Sequence, residues 1–256
     1  MRRSQPACKP TTVKREAARD ALAALHGAPD VASVTQRSIL DSLVRTILSQ
    51  NTTDATSQRA FLALKQAFPT WEAVREAQPG AVEAAIRVGG LADIKAARIR
   101  AILDMLVAER AACCLEHLRE LPDAEVKLQL TRFKGVGPKT VACIMMFGMQ
   151  RYEFPVDTHV WRISKALGWV PARATREQAY QHLNARVPDA VKYDLHVLLV
   201  EHGKRCPRCA KIPGRPRKEP VGECPLVRAR APPCVEKAEP GSPEAKPGGR
   251  GKRRAM

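Results

Sequence analysis

The sequence FKGVGPKTVA at residues 133–142 decides the fold prediction, and VDTH follows it at residues 156–159. Glycines permit positive φ angles and close backbone approach, so the N–H groups around Gly135 and Gly137 can point outward together. Such a nest at the start of a helix attracts phosphate. The sequence therefore predicts a hairpin that holds a nucleic-acid backbone beside the amine of Lys139. Turns of this type also occur in DNA-binding modules that are not enzymes. The prediction of an enzyme therefore depends on the additional Lys139 and Asp157.

Composition sets the limits for any interpretation. The 256 residues are 45% hydrophobic, which suffices for one large core or two smaller ones. Lys and Arg number 43 against 26 Asp and Glu, and a net charge of +17 favours a polyanionic partner through counterion release. Charge alone would equally fit a ribosomal protein or an acidic membrane surface. Apolar runs stay short of the ~18 residues of a membrane span and the N-terminus lacks a signal-peptide pattern, so we expect a cytoplasmic protein.

Apolar residues recur at helical spacing along most of the chain, and convincing period-two alternation is missing, so the predicted class is all-α. Ser38 followed by Asp41 suits the cap of a first helix over residues 39–48. Further helices are predicted over 54–67, 70–77, 79–88, 94–110, 122–132, 138–149, 158–167, 175–186 and 189–202, the last halted by Gly203. Prolines preclude long helices after Pro207, and residues 235–256 are predicted to form a disordered basic tail.

Four of the eight cysteines crowd together late in the chain, with the spacing C-x2-C-x14-C-x9-C at Cys206, Cys209, Cys224 and Cys234. In a reducing cell this clustering favours a metal over disulfides. Thiolates are the usual ligands of a 4Fe–4S cluster. A zinc ribbon is the alternative, although it suits the first pair of cysteines better than the second.

Together, the hairpin, Lys139 and Asp157 resemble the helix-hairpin-helix, Gly/Pro-rich loop and aspartate superfamily, in particular the endonuclease III-like DNA glycosylases. The resemblance implies a two-domain fold in which a six-helix barrel and an iron–sulfur cluster domain flank a cleft. The barrel with its helix-hairpin-helix would span 32–150. The cluster domain would combine the N-terminal helix region, 1–31, with 151–234.

The resemblance also implies which residues carry chemistry. Lys139 would be the Schiff-base nucleophile, and Asp157 would stabilise the oxocarbenium-like sugar and assist proton movement. Attack needs a neutral amine, and we expect the helix N-terminus to lower the pKa of Lys139. The alternative for Lys139 is a lysine that only binds phosphate, and the alternative for Asp157 is a residue that only caps its helix. Lys134 is predicted to contact the DNA backbone. Its alternative role is a second amine that could act as the nucleophile.

An enzyme of this kind flips a nucleotide out of the duplex and fills the gap. By resemblance, Gln50 in LSQNTTD (48–54) would plug the stack and Leu91 in GGLAD (89–93) would wedge against the orphan base. Taken without the resemblance, these segments are an ordinary polar turn and a loop leucine. The hairpin residues Lys134, Gly135, Val136 and Gly137 would bind the DNA backbone. The four cysteines would hold a 4Fe–4S cluster, although their spacing departs from the family's usual pattern.

The predicted function is that of a bifunctional DNA glycosylase and abasic-site lyase of base excision repair, acting on oxidised pyrimidines through a lysine Schiff base. The expected partner is duplex DNA containing a damaged base or an abasic site, bound by a monomer associated with a bacterial nucleoid and not with a membrane. One alternative is a glycosylase that removes mismatched adenine or thymine. The other is a non-catalytic helix-hairpin-helix protein whose cleft does not accept a base.

Overall fold

The computed structural model describes residues 12–30, 37–206, 208–209 and 224–227, and every regular element within these ranges is a helix. The prediction of an all-α fold is confirmed. The helices are α1 (Thr12–His26), α2 (Ile39–Leu48), α3 (Asp54–Ala67), α4 (Trp71–Glu76), α5 (Ala81–Ile86), α6 (Ala92–Arg110), α7 (Asp123–Thr131), α8 (Pro138–Met149), α9 (Thr158–Ala166), α10 (Arg176–Asn184) and α11 (Asp189–Arg205). Short 3-10 turns cover Arg87–Gly89, Glu116–Glu120 and Pro225–Val227. Within the described part of the chain, the helices are all too short or too polar to cross a membrane.

Side-chain caps explain where several helices begin. The Ser38 hydroxyl accepts the Asp41 N–H at 3.0 Å, so the cap predicted for α2 is confirmed. Thr53 caps α3 in the same way. Thr175 and Gln178 form a reciprocal capping box at the start of α10.

The predicted end of the last long helix was wrong, because α11 continues through Gly203 to Arg205. The reason is packing between helices. A Cβ added at Gly203 would lie 2.6 Å from the Cβ of His159 on α9, so this glycine permits close helix contact where the sequence suggested a stop.

The buried apolar residues form two clusters. The first cluster draws on residues 39–149, which contain α2 to α8. The second cluster combines Ala18 and Leu22 of α1 with residues from 154–226. Helix α1 therefore packs with the C-terminal half of the chain, chiefly against α11. The domain boundaries drawn from the sequence stay a prediction, and the predicted tail at 235–256 lies outside the described residues.

Candidate active site

A cavity of about 530 Å³ opens where residues of the two halves meet. Lys139 and Cys143 of α8 line it from one side, and Asp157, His159 and His196 line it from the other. The two residues predicted to be catalytic, Lys139 and Asp157, thus share one cleft. Its volume lies within the roughly 300–1,000 Å³ of typical ligand sites.

Lys139 is the second residue of α8, and its side chain reaches solvent through the cleft whose walls surround it. The pKa of Lys139 is raised above its ordinary value, first by the charge of Cys143, against the effect of burial, and further by Asp157 and Asp54. The expectation that the helix N-terminus would lower this pKa was wrong, because the interactions with Cys143, Asp157 and Asp54 outweigh burial, which acts in the lowering direction. Burial raises the pKa of Cys143 in turn, so near neutral pH this residue is a thiol. The carboxylates of Asp157 and Asp54 are negatively charged neighbours that favour the ammonium form of Lys139.

Asp157 is held in place by the helix that it starts. Its Oδ1 accepts the Val160 N–H at 2.7 Å, which makes Asp157 the N-cap of α9. The cap fixes the carboxylate at the edge of the cleft that Lys139 also lines. Capping and a role in chemistry are compatible, since a rigid carboxylate is what positioning beside a sugar requires.

The hairpin between α7 and α8 uses its residues in different ways. Gly135 adopts φ +87°, a left-handed conformation that favours glycine. The buried Val136 anchors the turn, and its N–H donates to the Phe133 carbonyl at 3.0 Å. Gly137 has φ −97° and does not need the freedom of glycine, yet a Cβ there would meet no atom within 4 Å. Gly137 therefore leaves the start of α8 accessible. The exposed Lys134 precedes Gly137 in the chain by three residues.

Gln50 is hydrogen-bonded to this hairpin. Its Nε2 donates to the Gly135 carbonyl at 3.1 Å, and Arg98 of α6 donates to its Oε1 at 2.8 Å. Its neighbours Ser49 and Thr52 line the cavity. The structure therefore brings the predicted plug to the hairpin, beside the cleft.

Leu91 begins α6 in a left-handed conformation, with φ +52° and 51% of its surface exposed. Val88 and Ile94 are exposed beside it, so the loop presents an apolar tip. Lys95, only 1% exposed, donates to the carbonyls of Leu48 at 2.8 Å and Gly89 at 2.9 Å. This buried ammonium ties together the loops that carry Gln50 and Leu91, a role for which the sequence holds no signal.

Three of the predicted metal ligands come together at the end of α11. Cys206, Cys209 and Cys224 converge with His202, and the four donor atoms lie within 4.8 Å of one another. Burial, with the nearby Cys224 and Cys206, raises the pKa of Cys209. Burial lowers the pKa of His202 to about 4, so its imidazole is neutral. Cys234 lies outside the described residues, and sequence analysis missed His202 although it stands one helical turn before Cys206.

Comparisons with known proteins identify a family and relatives that this chain resembles. The family model described as HhH-GPD superfamily base excision DNA repair protein matches residues 44–189, more than half of the chain. The Arabidopsis thaliana protein "Putative DNA glycosylase At3g47830" is 52% identical over 194 residues, which cover 75% of this chain and 66% of that protein. The "DNA glycosylase/AP lyase ROS1" of the same plant is 32% identical over 151 residues, 52% of this chain and 11% of its own length. A solved "non-covalent Endonuclease III-DNA Complex" has the same fold, with a TM-score of 0.67 and 22% identity over 86% of this chain and 95% of that one.

Proposed function

The chain belongs to the HhH-GPD superfamily of base excision DNA repair proteins, and we propose that it is a bifunctional DNA glycosylase and abasic-site lyase. The observation that carries the proposal is the shared cleft, where Lys139 of α8 and the helix-capping Asp157 face one cavity beside the hairpin. The relatives' names support it, since one names a DNA glycosylase and another a glycosylase with lyase activity. The chain spans less than two thirds of either relative's length, so activity, substrate and partner remain proposals.

The chemistry follows from the charges in the cleft. As the bond between the base and C1′ breaks, the carboxylate of Asp157 stabilises the positive charge that develops on the sugar. Lys139 enters as an ammonium and gives up its proton, to Asp157 or to the departing base, before its Nζ bonds to C1′. The C1′–O4′ bond of this adduct then breaks as O4′ takes up a proton, which leaves C1′ joined to Nζ as a protonated Schiff base. Loss of a C2′ proton then breaks the bond between C3′ and its phosphate oxygen, and the phosphate leaves by β-elimination.

Duplex DNA would be bound along the face that carries the hairpin and the two loops. We infer that the N–H groups at the start of α8, which lacks a side-chain cap, bind phosphate together with Lys134 and Gly137. Val136 would serve as the buried anchor of this hairpin. Gln50 would leave its hydrogen bonds to Gly135 and Arg98 to fill the gap in the stack, and Leu91 would wedge beside it.

The proposed substrates are oxidised pyrimidines and abasic sites, as the resemblance of the hairpin, Lys139 and Asp157 to the endonuclease III-like glycosylases implies. Removal of mismatched adenine or thymine is the enzymatic alternative. The volume of the cavity, about 530 Å³, speaks against a binding module whose cleft is too narrow for a base. The cytoplasmic or nucleoid location stays a prediction. The relatives named above are plant proteins and give no support to a bacterial origin. A 4Fe–4S cluster on Cys206, Cys209, Cys224 and Cys234 is not part of this proposal, because the described donor atoms lie too close together for it.

The test is to incubate the full-length protein with abasic, thymine glycol and mismatched duplexes in the presence of borohydride. We expect a covalent complex with abasic and thymine glycol DNA, and its loss in Lys139→Gln. Lys134→Gln is the matched control, because it removes an exposed hairpin charge and should retain trapping with weaker DNA affinity. Trapping that survives in Lys139→Gln and is lost in Lys134→Gln would show that Lys134, and not Lys139, is the nucleophile. If only mismatched bases were excised, the enzymatic alternative would be correct and the proposed substrates would be wrong.

A further inference from the structure

The group at the end of α11 has the dimensions of a site for one ion. The Nε2 of His202 lies 3.3 Å from the Sγ of Cys224, and the Sγ atoms of Cys209 and Cys224 are 3.9 Å apart. Around a tetrahedral Zn²⁺ with bonds of about 2.3 Å to sulfur and about 2.0 Å to nitrogen, the sulfur atoms lie about 3.8 Å apart and nitrogen about 3.5 Å from sulfur. These two distances agree with the ideal values, and all separations among the four donor atoms stay within 4.8 Å.

A 4Fe–4S cluster needs more room. Each thiolate binds a different iron at a corner of the cluster, so the sulfur ligands lie roughly 6 Å apart. The four donor atoms of His202, Cys206, Cys209 and Cys224 all lie within 4.8 Å of one another. The residues present therefore do not fit the cluster that the family resemblance implies.

Local backbone structure positions each donor. His202 is buried in the last turn of α11, and its carbonyl accepts the Cys206 N–H at 2.8 Å, which places the two side chains on one face. The Cys209 N–H donates to the Cys206 carbonyl at 3.0 Å and closes a tight turn between the two cysteines. Cys224 reaches the same point from a later segment and is itself buried.

His26 supplies the second layer of contacts around the group. Its Nε2 lies 3.0 Å from the Nδ1 of His202, which leaves the Nε2 of His202 facing Cys224. A metal-bound histidine characteristically donates its other ring N–H to a fixed acceptor, which orients the ring. His26 ends α1, so the site would link the N-terminal helix to α11.

We propose that His202, Cys206, Cys209 and Cys224 bind one Zn²⁺ in a closed tetrahedral Cys3His site. Three thiolates and one imidazole leave no open position, which is the pattern of structural zinc. His26 is a positioning residue in this proposal, since it acts through His202. The inference is independent of the proposed repair activity.

Metal analysis and X-ray absorption on the full-length wild-type protein test the proposal without any variant. We expect one zinc per chain, with three sulfur ligands and one nitrogen ligand and no metal–metal distance. Brown protein with four irons per chain, a short iron–iron distance or four sulfur ligands would overturn it.

Variants test the individual residues through metal content and through the spectrum of the cobalt-substituted protein. Cys234→Ser should retain one ion with an unchanged spectrum, and loss of the ion in this variant would overturn the proposal. His202→Cys should retain one ion but shift the cobalt bands, because a fourth thiolate replaces nitrogen. His26→Gln should weaken metal affinity by about 10- to 100-fold. An unshifted spectrum in His202→Cys would exclude His202 as a ligand.

Discussion

Among single residues, Lys139 lies between Cys143 of its own helix and the carboxylates of Asp157 and Asp54, and these neighbours raise its pKa. The hairpin and the later aspartate predicted its place in a cleft, and it does line one with Asp157. Its raised pKa was beyond reach, because Cys143, Asp157 and Asp54 surround it only in three dimensions. His202 was not assigned as a ligand although Cys206 follows it by one helical turn, because its contact with Cys224 joins residues 22 positions apart and forms only in three dimensions.

The charge of Asp157 can be separated from its capping role. Asp157→Asn retains an oxygen that can accept the Val160 N–H but removes the negative charge facing the sugar and Lys139. We therefore expect base release to fall by orders of magnitude, while the free energy of unfolding changes by less than about 1 kcal/mol. Single-turnover excision and urea denaturation measure the two effects. A parallel loss of activity and stability would show that Asp157 is only a cap.

Leu91 combines an unfavourable conformation with an exposed apolar side chain. A leucine at φ +52° costs about 1 kcal/mol relative to residues that tolerate the left-handed region, such as asparagine. Leu91→Asn should therefore raise the melting temperature and yet reduce excision from duplex DNA, because the wedge is lost. Leu62→Asn, at another exposed leucine, is the control for activity and should leave excision unchanged. Unimpaired excision in Leu91→Asn would remove the proposed wedge role.

At the level of elements, the helices themselves were largely predictable and their contacts were not. The predicted bounds of α3 and α8 agree with the structure, because caps and apolar spacing are local signals. Gly203 was mistaken for a helix end because its neighbour His159 is distant in sequence. Lys95 is a buried link between two loops for which no local pattern exists.

Two glycine substitutions should separate packing from binding. In Gly203→Ala the new Cβ would meet the Cβ of His159 at 2.6 Å, so α9 and α11 must move apart and the free energy of unfolding should fall by about 1–3 kcal/mol. In Gly137→Ala the new Cβ meets no protein atom within 4 Å, so stability should change little. Binding to duplex DNA should weaken in Gly137→Ala, because the methyl group obstructs a phosphate at the start of α8. Urea denaturation and fluorescence anisotropy report the two quantities, and normal DNA affinity in Gly137→Ala would remove Gly137 from the interface.

At the scale of the whole molecule, His196 of α11 contacts α8, which belongs to the other half of the chain. This buried histidine of α11 donates from Nδ1 to the Pro155 carbonyl at 2.8 Å. Its ring packs edge-on against Phe147 of α8 and Phe154. Composition and the apolar pattern predicted that the chain could build two cores. Which side chain would fill their junction, beside the cavity, was not predictable, because that depends on how the two halves approach each other.

The protonation of His196 should make this junction sensitive to acid. Burial lowers the pKa of His196 to about 4, with Lys139 and Lys204 lowering it further and Asp157 and the Pro155 carbonyl opposing them. The unfolded chain takes up a proton near pH 6.5, so the folded state loses stability as the pH falls from about 6.5 to about 4, by about 3 kcal/mol in total. His196→Gln can retain an N–H donor for Pro155 but does not titrate in this range. Urea denaturation of both proteins between pH 7 and pH 4.5 should therefore show that the free energy of unfolding falls more steeply in the wild type. The carboxylates titrate in both proteins and contribute equally. Parallel curves would mean that His196 is not the group that responds.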